Sequence, residues 1–229
     1  MRAPLALTGA FFAASLLSAA PAAAAPVQDF SFTGTFTQDD DVQLFTFSVG
    51  STSTVTLRSW SYAGGVNAAG ETIARGGFDP ILALFDSTGN FVEQNDDGYA
   101  IPADPLSGNH YDVLLEIELD PGTYTVAIMQ YDNFAVGPNL ADGFTRTGQG
   151  NFTGVPGFDD FHEDCDTSQG RFLDVSGTAY CNRTGGWAFD ILGVEAAVVE
   201  PPPGSIPEPS ALALFGAALL GLGALRRRA

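Results

Sequence analysis

The sequence contains no lysine, and its nine basic residues are all arginines set against 27 aspartates and glutamates. Between residues 26 and 205 the imbalance is larger, with 26 acidic residues against five arginines. Because nucleic-acid phosphates are bound by clustered cations, this shortage excludes nucleic acid as a partner. The acidity is sufficient by itself for solubility, but it also allows divalent cations outside the cell to neutralise some of the carboxylates.

Cysteine is nearly absent, with only Cys165 and Cys181 in the chain. Two thiols 16 positions apart in an exported protein predict a disulfide. On the chain-entropy model, closing a loop of this size stabilises the fold by about 3 kcal/mol. A shared metal ion or a redox couple is the alternative, but there is no CxxC motif and His162 is the only nearby imidazole.

Helical periodicity is missing outside the two ends of the chain, and alternation of apolar and polar residues dominates instead. The 18 Phe, six Tyr and two Trp supply more core-forming surface than disordered chains carry. We therefore predict an all-β fold. The expected strands are Phe30–Phe36, Val42–Val49, Thr54–Tyr62, Ile81–Phe85, Phe91–Gln94, Val113–Leu119, Thr123–Gln130 and Trp187–Val194.

These short strands, separated by turns in a chain with 27 glycines, predict a two-sheet β-sandwich of the jelly-roll or immunoglobulin-like kind. A closed barrel is the alternative. In the strand Val42–Val49, we expect Val42, Leu44 or Phe45, Phe47 and Val49 to line one face. The stretch Asn133–Gly186 is rich in Gly and Asp and weak in periodicity, so it predicts a long loop insertion that is functional or mobile. We expect the disulfide to cross-link this insertion.

The first 25 residues have the order of a secretory signal peptide: Arg2, an apolar run, and small residues through Ala25. They predict an N-terminal hydrophobic helix that signal peptidase removes, with a membrane anchor as the alternative. Residues 26–200 are then the β-sandwich ectodomain, and residues 201–205 form a stiff, proline-rich linker.

The C-terminal residues 206–229 have three parts in a fixed order. Pro207, Glu208, Pro209 and Ser210 are followed by the apolar run 211–225, and the chain then carries three arginines. As a helix the apolar run spans roughly 22 Å, which is short of the roughly 30 Å hydrocarbon core. Arg226, Arg227 and Arg228 are expected to stay cytoplasmic.

This tail resembles the PEP-CTERM sorting signal, whose members are processed by an exosortase. A plain C-terminal membrane anchor is the alternative interpretation. The resemblance implies a short transmembrane helix, a cut beside Glu208, transient residence in the inner membrane and a final position at the cell surface or outside the cell. It also implies a Gram-negative bacterium that makes extracellular polysaccharide.

A second resemblance covers residues 39–131. The segments DDDVQLFTFSV, GGFDPILALFDSTGNFVEQNDDG and LDPGTYTVAI are similar to those of the bacterial pre-peptidase C-terminal domain. That family is a small β-sandwich appended to secreted proteases, and some members bind calcium and collagen or polysaccharide. The chain departs from the family by its long insertion after Tyr131 and by the lack of an attached protease.

Acidic residues in three predicted loops are candidates for a calcium site. Calcium takes six to eight oxygen ligands with loose geometry, which suits Asp and Asn side chains in loops. The first choices are Asp79, Asp96 and Asp97, and Asp40 follows from the run Asp39–Asp41. The alternative is that these residues are turn formers that hydrogen-bond their own loops.

A second acidic set surrounds His162 and Cys165 in the insertion. It could bind a cation or form a solvated loop, and its members are Asp159, Asp160, Glu163, Asp164 and Asp166. No motif that joins a nucleophile, a base and an orienting group includes His110 or His162. Four aromatic residues are candidates for stacking on sugar rings, with Trp187 also suited to the core: Trp60, Tyr62, Tyr99 and Trp187.

The sequence as a whole predicts a non-catalytic surface or matrix protein, stabilised by calcium and associated with extracellular polysaccharide. A structural protein that acts by self-association in a biofilm matrix or in adhesion is the first alternative. A secreted hydrolase that uses the insertion is the second. The ligand itself does not follow from the sequence.

Overall fold

The computed structural model describes residues 25–155, 158, 166–174 and 180–201. Strands dominate this part of the chain, and each of the eight predicted strands overlaps an observed one, which confirms the all-β prediction. The strands are β1 Gln28–Thr35, β2 Val42–Val49, β3 Ser53–Ser59, β4 Gly65–Val66, β5 Thr72–Ile73, β6 Pro80–Phe85, β7 Phe91–Asn95, β8 Leu114–Leu119, β9 Gly122–Gln130, β10 Gly186–Val194 and β11 Ala196–Val199. Single-turn 3-10 helices cover Leu140–Asp142, Phe152–Gly154 and Thr167–Gln169.

The strands form two main antiparallel sheets. The order is β1-β10-β3-β8 in the four-stranded sheet and β11-β2-β9-β6-β7 in the five-stranded sheet, while β4 and β5 pair separately. Apart from the β6–β7 hairpin, consecutive strands of the main sheets alternate between the two sheets. This is the strand order of a jelly roll, a double sheet built from two Greek keys, with β11 added beside β2.

The inward faces of the two sheets share one apolar core, which makes the molecule a β-sandwich. The Phe45 ring from β2 lies 5.7 Å from Trp187 and 5.1 Å from Phe189, both on β10 of the opposite sheet. Phe45, Phe47 and Val49 are buried in this core, as strict alternation requires. The prediction that Val42 shares their face is wrong, because Val42 and Leu44 pack on the other side of the sheet.

That outer side of the five-stranded sheet is covered by the start of the insertion. Side chains of β6 and β9 form a second buried cluster there, and the insertion packs on it with Phe134, Leu140 and Phe144, among others. Every residue of β6 is therefore buried, as in a strand covered on both faces. The first part of the predicted loop is thus a packed layer and not a structureless insertion.

Later parts of the insertion are tied to the sandwich by a buried carboxylate. Asp39 is fully buried and accepts hydrogen bonds from the backbone N–H groups of Thr153 at 2.8 Å and Phe172 at 2.7 Å, and from the Thr153 hydroxyl. Burial raises the pKa of Asp39, although these hydrogen bonds oppose the shift. A residue that the sequence places in an acidic loop is therefore an internal anchor.

A buried ion network holds the other end of the insertion. The Arg183 guanidinium lies 3.3 Å from Asp104 and 3.2 Å from Asp174, and it stacks on the Tyr62 ring at 3.6 Å. Arg75 adds a bidentate pair to Asp104 at 2.5 and 2.8 Å. Burial alone would raise the pKa of Asp104, but the hydrogen bond from Arg75 and the charge of Arg183 keep it below its usual range.

The aromatic residues proposed for sugar stacking divide into two groups. Trp60, Tyr62 and Trp187 are buried, with exposed fractions of 8%, 0% and 8%. Since Trp60 donates its indole N–H to Asp190 at 2.7 Å and Tyr62 donates to Asp174, both are fixed inside the fold. Only Tyr99 of this set is exposed, at 90%. The sugar-stacking prediction for Trp60 and Tyr62 is therefore wrong.

The predicted N- and C-terminal hydrophobic helices lie outside the described residues. Within the part of the chain that the structure describes, no helix has the length and apolar character needed to cross a membrane.

Candidate functional site

Asp79 has an unusual environment for a carboxylate. It stands immediately before β6 and is 5% exposed, and its Oδ1 atom is buried without a hydrogen-bond partner. Burial raises its pKa well above the usual range, and the negative charges of Asp174, Asp97 and Asp96 raise it further. A buried acceptor that lacks a donor destabilises the fold unless a cation or a proton compensates it.

Asp96 and Asp97 follow β7 and are only partly buried. The Asn95 side chain accepts hydrogen bonds from the Asp96 N–H at 3.0 Å and the Asp97 N–H at 3.4 Å, so this loop is also an Asx turn. Burial and the charge of Asp96 raise the pKa of Asp97. Asp79, Asp96 and Asp97 therefore lie close enough for their charges to interact. Their spacing in the sequence does not reveal this proximity.

Gln130 is a second buried polar residue at this end of the five-stranded sheet, and it was not predicted from the sequence. It ends β9 and lies directly opposite Pro80, the residue after Asp79. Its side chain is 2% exposed, and its Oε1 atom is a second buried acceptor without a partner. Side chains alternate along a strand, so Gln130 shares the sheet face of Pro80 and not that of Asp79, and its oxygen does not add to the carboxylates around Asp79. The sequence feature that could have pointed to Gln130 is its polar side chain at the end of the largely apolar strand TYTVAIMQ.

These groups do not form a preassembled metal centre. Among the described residues, no group of three or more His, Cys, Asp or Glu side chains could hold a metal ion. Asp79, Asp96 and Asp97 interact through their charges but do not converge as three ligands. Because Asp96 and Asp97 are on a loop, calcium binding would need that loop to approach Asp79.

The fourth predicted ligand, Asp40, serves a different part of the molecule. Its Oδ2 atom accepts a hydrogen bond from the Gly150 N–H at 3.0 Å, which joins the β1–β2 connection to the insertion. The neighbouring Asp41 accepts from the N–H groups of Thr37 at 2.6 Å and Gln38 at 2.9 Å. For these two residues the turn-forming alternative describes the contacts that the structure shows.

Asp40 and Asp41 also line a surface groove, which we call the Phe144 groove. Its volume is about 480 Å³, and it lies between the start of β2 and the packed part of the insertion. The lining residues are Gln38, Asp40, Asp41, Val42, Leu44, Leu140, Gly143, Phe144 and Thr147. Nothing in the sequence links residues 38–44 with residues 140–147, which explains why sequence reasoning missed this groove.

Most of the second acidic set lies outside the described residues, namely Asp159, Asp160, Glu163 and Asp164, and so do His162 and Cys165. Asp166 is exposed, and its Oδ1 atom accepts from the Ser168 N–H at 3.0 Å.

His110 lies with its Nδ1 atom 2.8 Å from the carbonyl oxygen of Ile101. Cys181 is fully buried and is not a free thiol. Because Cys165 is not described, the disulfide stays a prediction.

The C-terminal residues decide where the protein goes. Residues 205–228 match the PEP-CTERM protein-sorting motif. The chain carries a PEP-CTERM sorting signal. This signal means export, a transient membrane-anchored stage and processing by an exosortase that delivers the protein to the cell surface. Its Pro207, Glu208, Pro209, Ser210 and Arg226–Arg228 all fall within the match and outside the described residues.

Comparisons of the rest of the chain are less informative. No curated protein matches the sequence. A solved structure, the pre-peptidase C-terminal domain of a collagenase from Bacillus anthracis, is similar at 16% identity and a TM-score of 0.30. The match covers 47% of this chain and 81% of that domain. The second resemblance thus also appears in the structure comparison, but a TM-score this low supports no argument about the ectodomain.

The structure shows where the chain leaves the sandwich toward the PEP-CTERM signal. After β11, the Glu200 N–H donates to the Leu44 carbonyl at 2.9 Å, and the Gln43 side chain donates to the Glu200 carbonyl at 2.7 Å. Proline begins at residue 201, and since proline has no N–H, the pairing with β2 stops there. The exit point therefore lies beside the Phe144 groove.

Proposed function

We propose that this protein is a non-catalytic binding module that associates with extracellular polysaccharide at the cell surface. In this proposal signal peptidase removes residues 1–25, and residues 26–200 are the working ectodomain. The observation that carries the proposal is a PEP-CTERM signal attached to a single acidic β-sandwich. A protein that is sorted to the surface, and whose described residues form a packed acidic β-sandwich, is suited to binding.

The charge of the ectodomain restricts the polysaccharides that it can bind. A module with 26 acidic residues and five arginines repels polyanions at low ionic strength. Direct partners are therefore neutral or cationic glycans, and anionic polymers need bridging by divalent cations. The same charge limits self-association in the absence of such cations.

Calcium stabilisation is supported by the buried Oδ1 atom of Asp79, which has no hydrogen-bond partner, and by the neighbouring charges of Asp96 and Asp97. We propose that Asp79, Asp96 and Asp97 hold one calcium ion. Bound calcium would compensate the buried charge of Asp79 and fix the loop after β7 against β6. Because the ion binds the folded state only, it stabilises by about 2.7 kcal/mol when present at about 100 times its dissociation constant.

The calcium proposal is tested by melting residues 26–205 in EDTA and in excess calcium. We expect a clear rise in Tm with calcium, and the rise should be absent in Asp79→Asn. Asp40→Asn is the matched control, since Asp40 contacts Gly150 and not this site, and it should keep the full rise. An equal calcium response in the two variants would contradict the assignment.

The main proposal is tested by cosedimentation with the polysaccharide matrix of the producing bacterium. Residues 26–205 contain every strand and both core clusters that the structure describes, so this fragment is the one to purify. We expect the purified fragment to sediment with the matrix, and a folded acidic protein of equal charge to stay in solution. Failure to bind with and without calcium would overturn the proposal.

One observation favours self-association as a second function. β11 is an edge strand without charged residues, and its Val198 and Val199 are 55% and 49% exposed. Unprotected edges of this kind pair with other strands. If the protein acts in this way, Val198→Lys will abolish assembly at millimolar calcium, whereas a wild-type protein that stays monomeric in sedimentation will exclude this function.

A further inference from the structure

We propose that the Phe144 groove binds a glycan that carries amino groups. This inference rests on the proposed function and deepens it, because it names the site and the class of sugar. The alternative occupants are neutral glycans and the tail of the protein itself. Size, lining, charge and position together favour the amino sugar.

The groove has the size and wall of a small-ligand site. Its volume of about 480 Å³ lies within the roughly 300–1,000 Å³ typical of such sites. Leu44 supplies one apolar wall from the sheet, and Leu140 and Phe144 supply the other from the insertion. A sugar ring can pack its C–H face on this surface, since aromatic and aliphatic side chains are favourable contacts for such groups.

The polar side of the groove is oriented before any ligand binds. Asp40 and Asp41 each use the Oδ2 atom to accept backbone hydrogen bonds, from Gly150 and from Thr37 and Gln38. These bonds fix the two side chains, and each Oδ1 atom remains as an acceptor for a ligand. Preorganised acceptors bind with a smaller loss of conformational freedom than mobile ones.

The charge of the groove selects the ligand. Two of its nine lining residues are carboxylates and none is a cation, and neither carboxylate forms a salt bridge within the described residues. An ammonium group would donate charge-assisted hydrogen bonds to these oxygens, which are about twice as strong as neutral ones. An anionic sugar would be repelled.

The chain leaves the sandwich close to the groove, but the sequence that follows does not match the charge of the groove. The chain leaves β11 beside Leu44, so residues 201–210 begin near the groove. This segment contains Glu208 and no basic residue. Residues 201–210 therefore supply no cation for either carboxylate, which favours an external ligand for the groove.

The test is calorimetric titration of residues 26–205 with glucosamine oligosaccharides in EDTA, so that calcium does not contribute. We expect binding that weakens at least tenfold in Gln38→Arg, because the new cation stands at the groove while both Asp turns are retained. Gln28→Arg on β1 of the opposite sheet changes the net charge equally and should bind like wild type. Asp40→Asn, with an unchanged melting curve, should also weaken binding.

Several outcomes would overturn the inference. Equal weakening by Gln38→Arg and Gln28→Arg would mean that the overall charge attracts the sugar. Equal affinity for N-acetylglucosamine oligosaccharides would mean that amino groups are not recognised. Binding by a protein that ends at residue 200, but not by one that ends at residue 208, would identify the tail as the occupant. If the Gln38→Arg variant still binds the matrix, the assignment of the groove is wrong but the proposed function stands. If the wild-type protein does not bind the matrix, the proposed function itself is wrong.

Discussion

At the scale of single residues, acidic side chains of this protein have two different tasks. Many surface carboxylates only supply charge, but several are buried and organise the fold. Asp112 shows this most clearly, because it accepts from the Ser59 hydroxyl and from the backbone N–H groups of Ser61, Tyr62 and Ala63. Among the buried carboxylates that the structure describes, Asp79 is the exception, since its Oδ1 atom has no donor.

The environment of Asp79 predicts a pH dependence of stability. Its pKa is raised in the folded state, so its contribution is complete below its unfolded pKa of about 3.9 and is lost as pH rises through the folded pKa. At neutral pH this contribution is lost at least in part and burial of Asp79 opposes folding, because water solvates the ionised carboxylate of the unfolded chain better than the buried site does. In EDTA, we expect Asp79→Asn to raise Tm at pH 7 and to leave it nearly unchanged at pH 4.

Asp86 is the control for this experiment because its shift has the opposite sign. Hydrogen bonds from the Thr88 hydroxyl and the Asn90 N–H lower its pKa to about 2. Its contribution is present above its unfolded pKa and is lost as pH falls toward the folded value. Asp86→Asn should therefore lower Tm at pH 7. If both variants shift Tm in the same direction, the assignment of the Asp79 environment is wrong.

Arg183 is the second residue with a specific prediction. It is 2% exposed and contacts two buried carboxylates, so Arg183→Met leaves Asp104 and Asp174 without its charge. Breaking a buried pair in this way costs about 3–5 kcal/mol, which urea denaturation will measure. Arg75→Gln is the milder control, because the Arg75 side chain is 34% exposed. A loss of stability no greater than that of the control would contradict a structural role for Arg183.

At the scale of elements, the insertion after β9 carries the predicted disulfide between Cys165 and Cys181. We expect Cys165→Ser with Cys181→Ser to lower the free energy of unfolding by about 3 kcal/mol, as loss of a 16-residue disulfide loop should. Thermal unfolding with and without a reductant measures this. Reductant should destabilise the wild type and leave the double variant unchanged. An equal response of both proteins would show that no disulfide forms.

At the scale of the whole molecule, the excess of negative charge opposes folding. Carboxylates that repel each other in the compact state are screened by salt, and the Debye length falls from about 30 Å at 0.01 M to about 10 Å at 0.1 M. We expect Tm to rise as NaCl is added in EDTA. Calcium at equal ionic strength should raise Tm further in wild type and not in Asp79→Asn. An identical effect of both salts on wild type would exclude a specific calcium site.

The sequence by itself determined the class of fold and the destination of the protein. Alternation along VQLFTFSV and TYTVAIMQ is a local property of strands, and the PEP-CTERM signal is recognised as a linear segment. Both can be read without knowledge of the packing. The sequence does not distinguish a jelly roll from an immunoglobulin-like sandwich, because that difference depends on which strands pair across long distances in sequence.

Only the tertiary structure decided what individual polar and aromatic residues do. Trp60 and Tyr62 look like exposed binding residues in the sequence, but the fold buries them against Asp190 and Asp174. Gln130 lies opposite Pro80, the residue after Asp79, because β9 pairs with β6. The Phe144 groove exists because the insertion folds back onto β2. Contacts between residues distant in sequence create these sites, and periodicity along the chain contains no information about them.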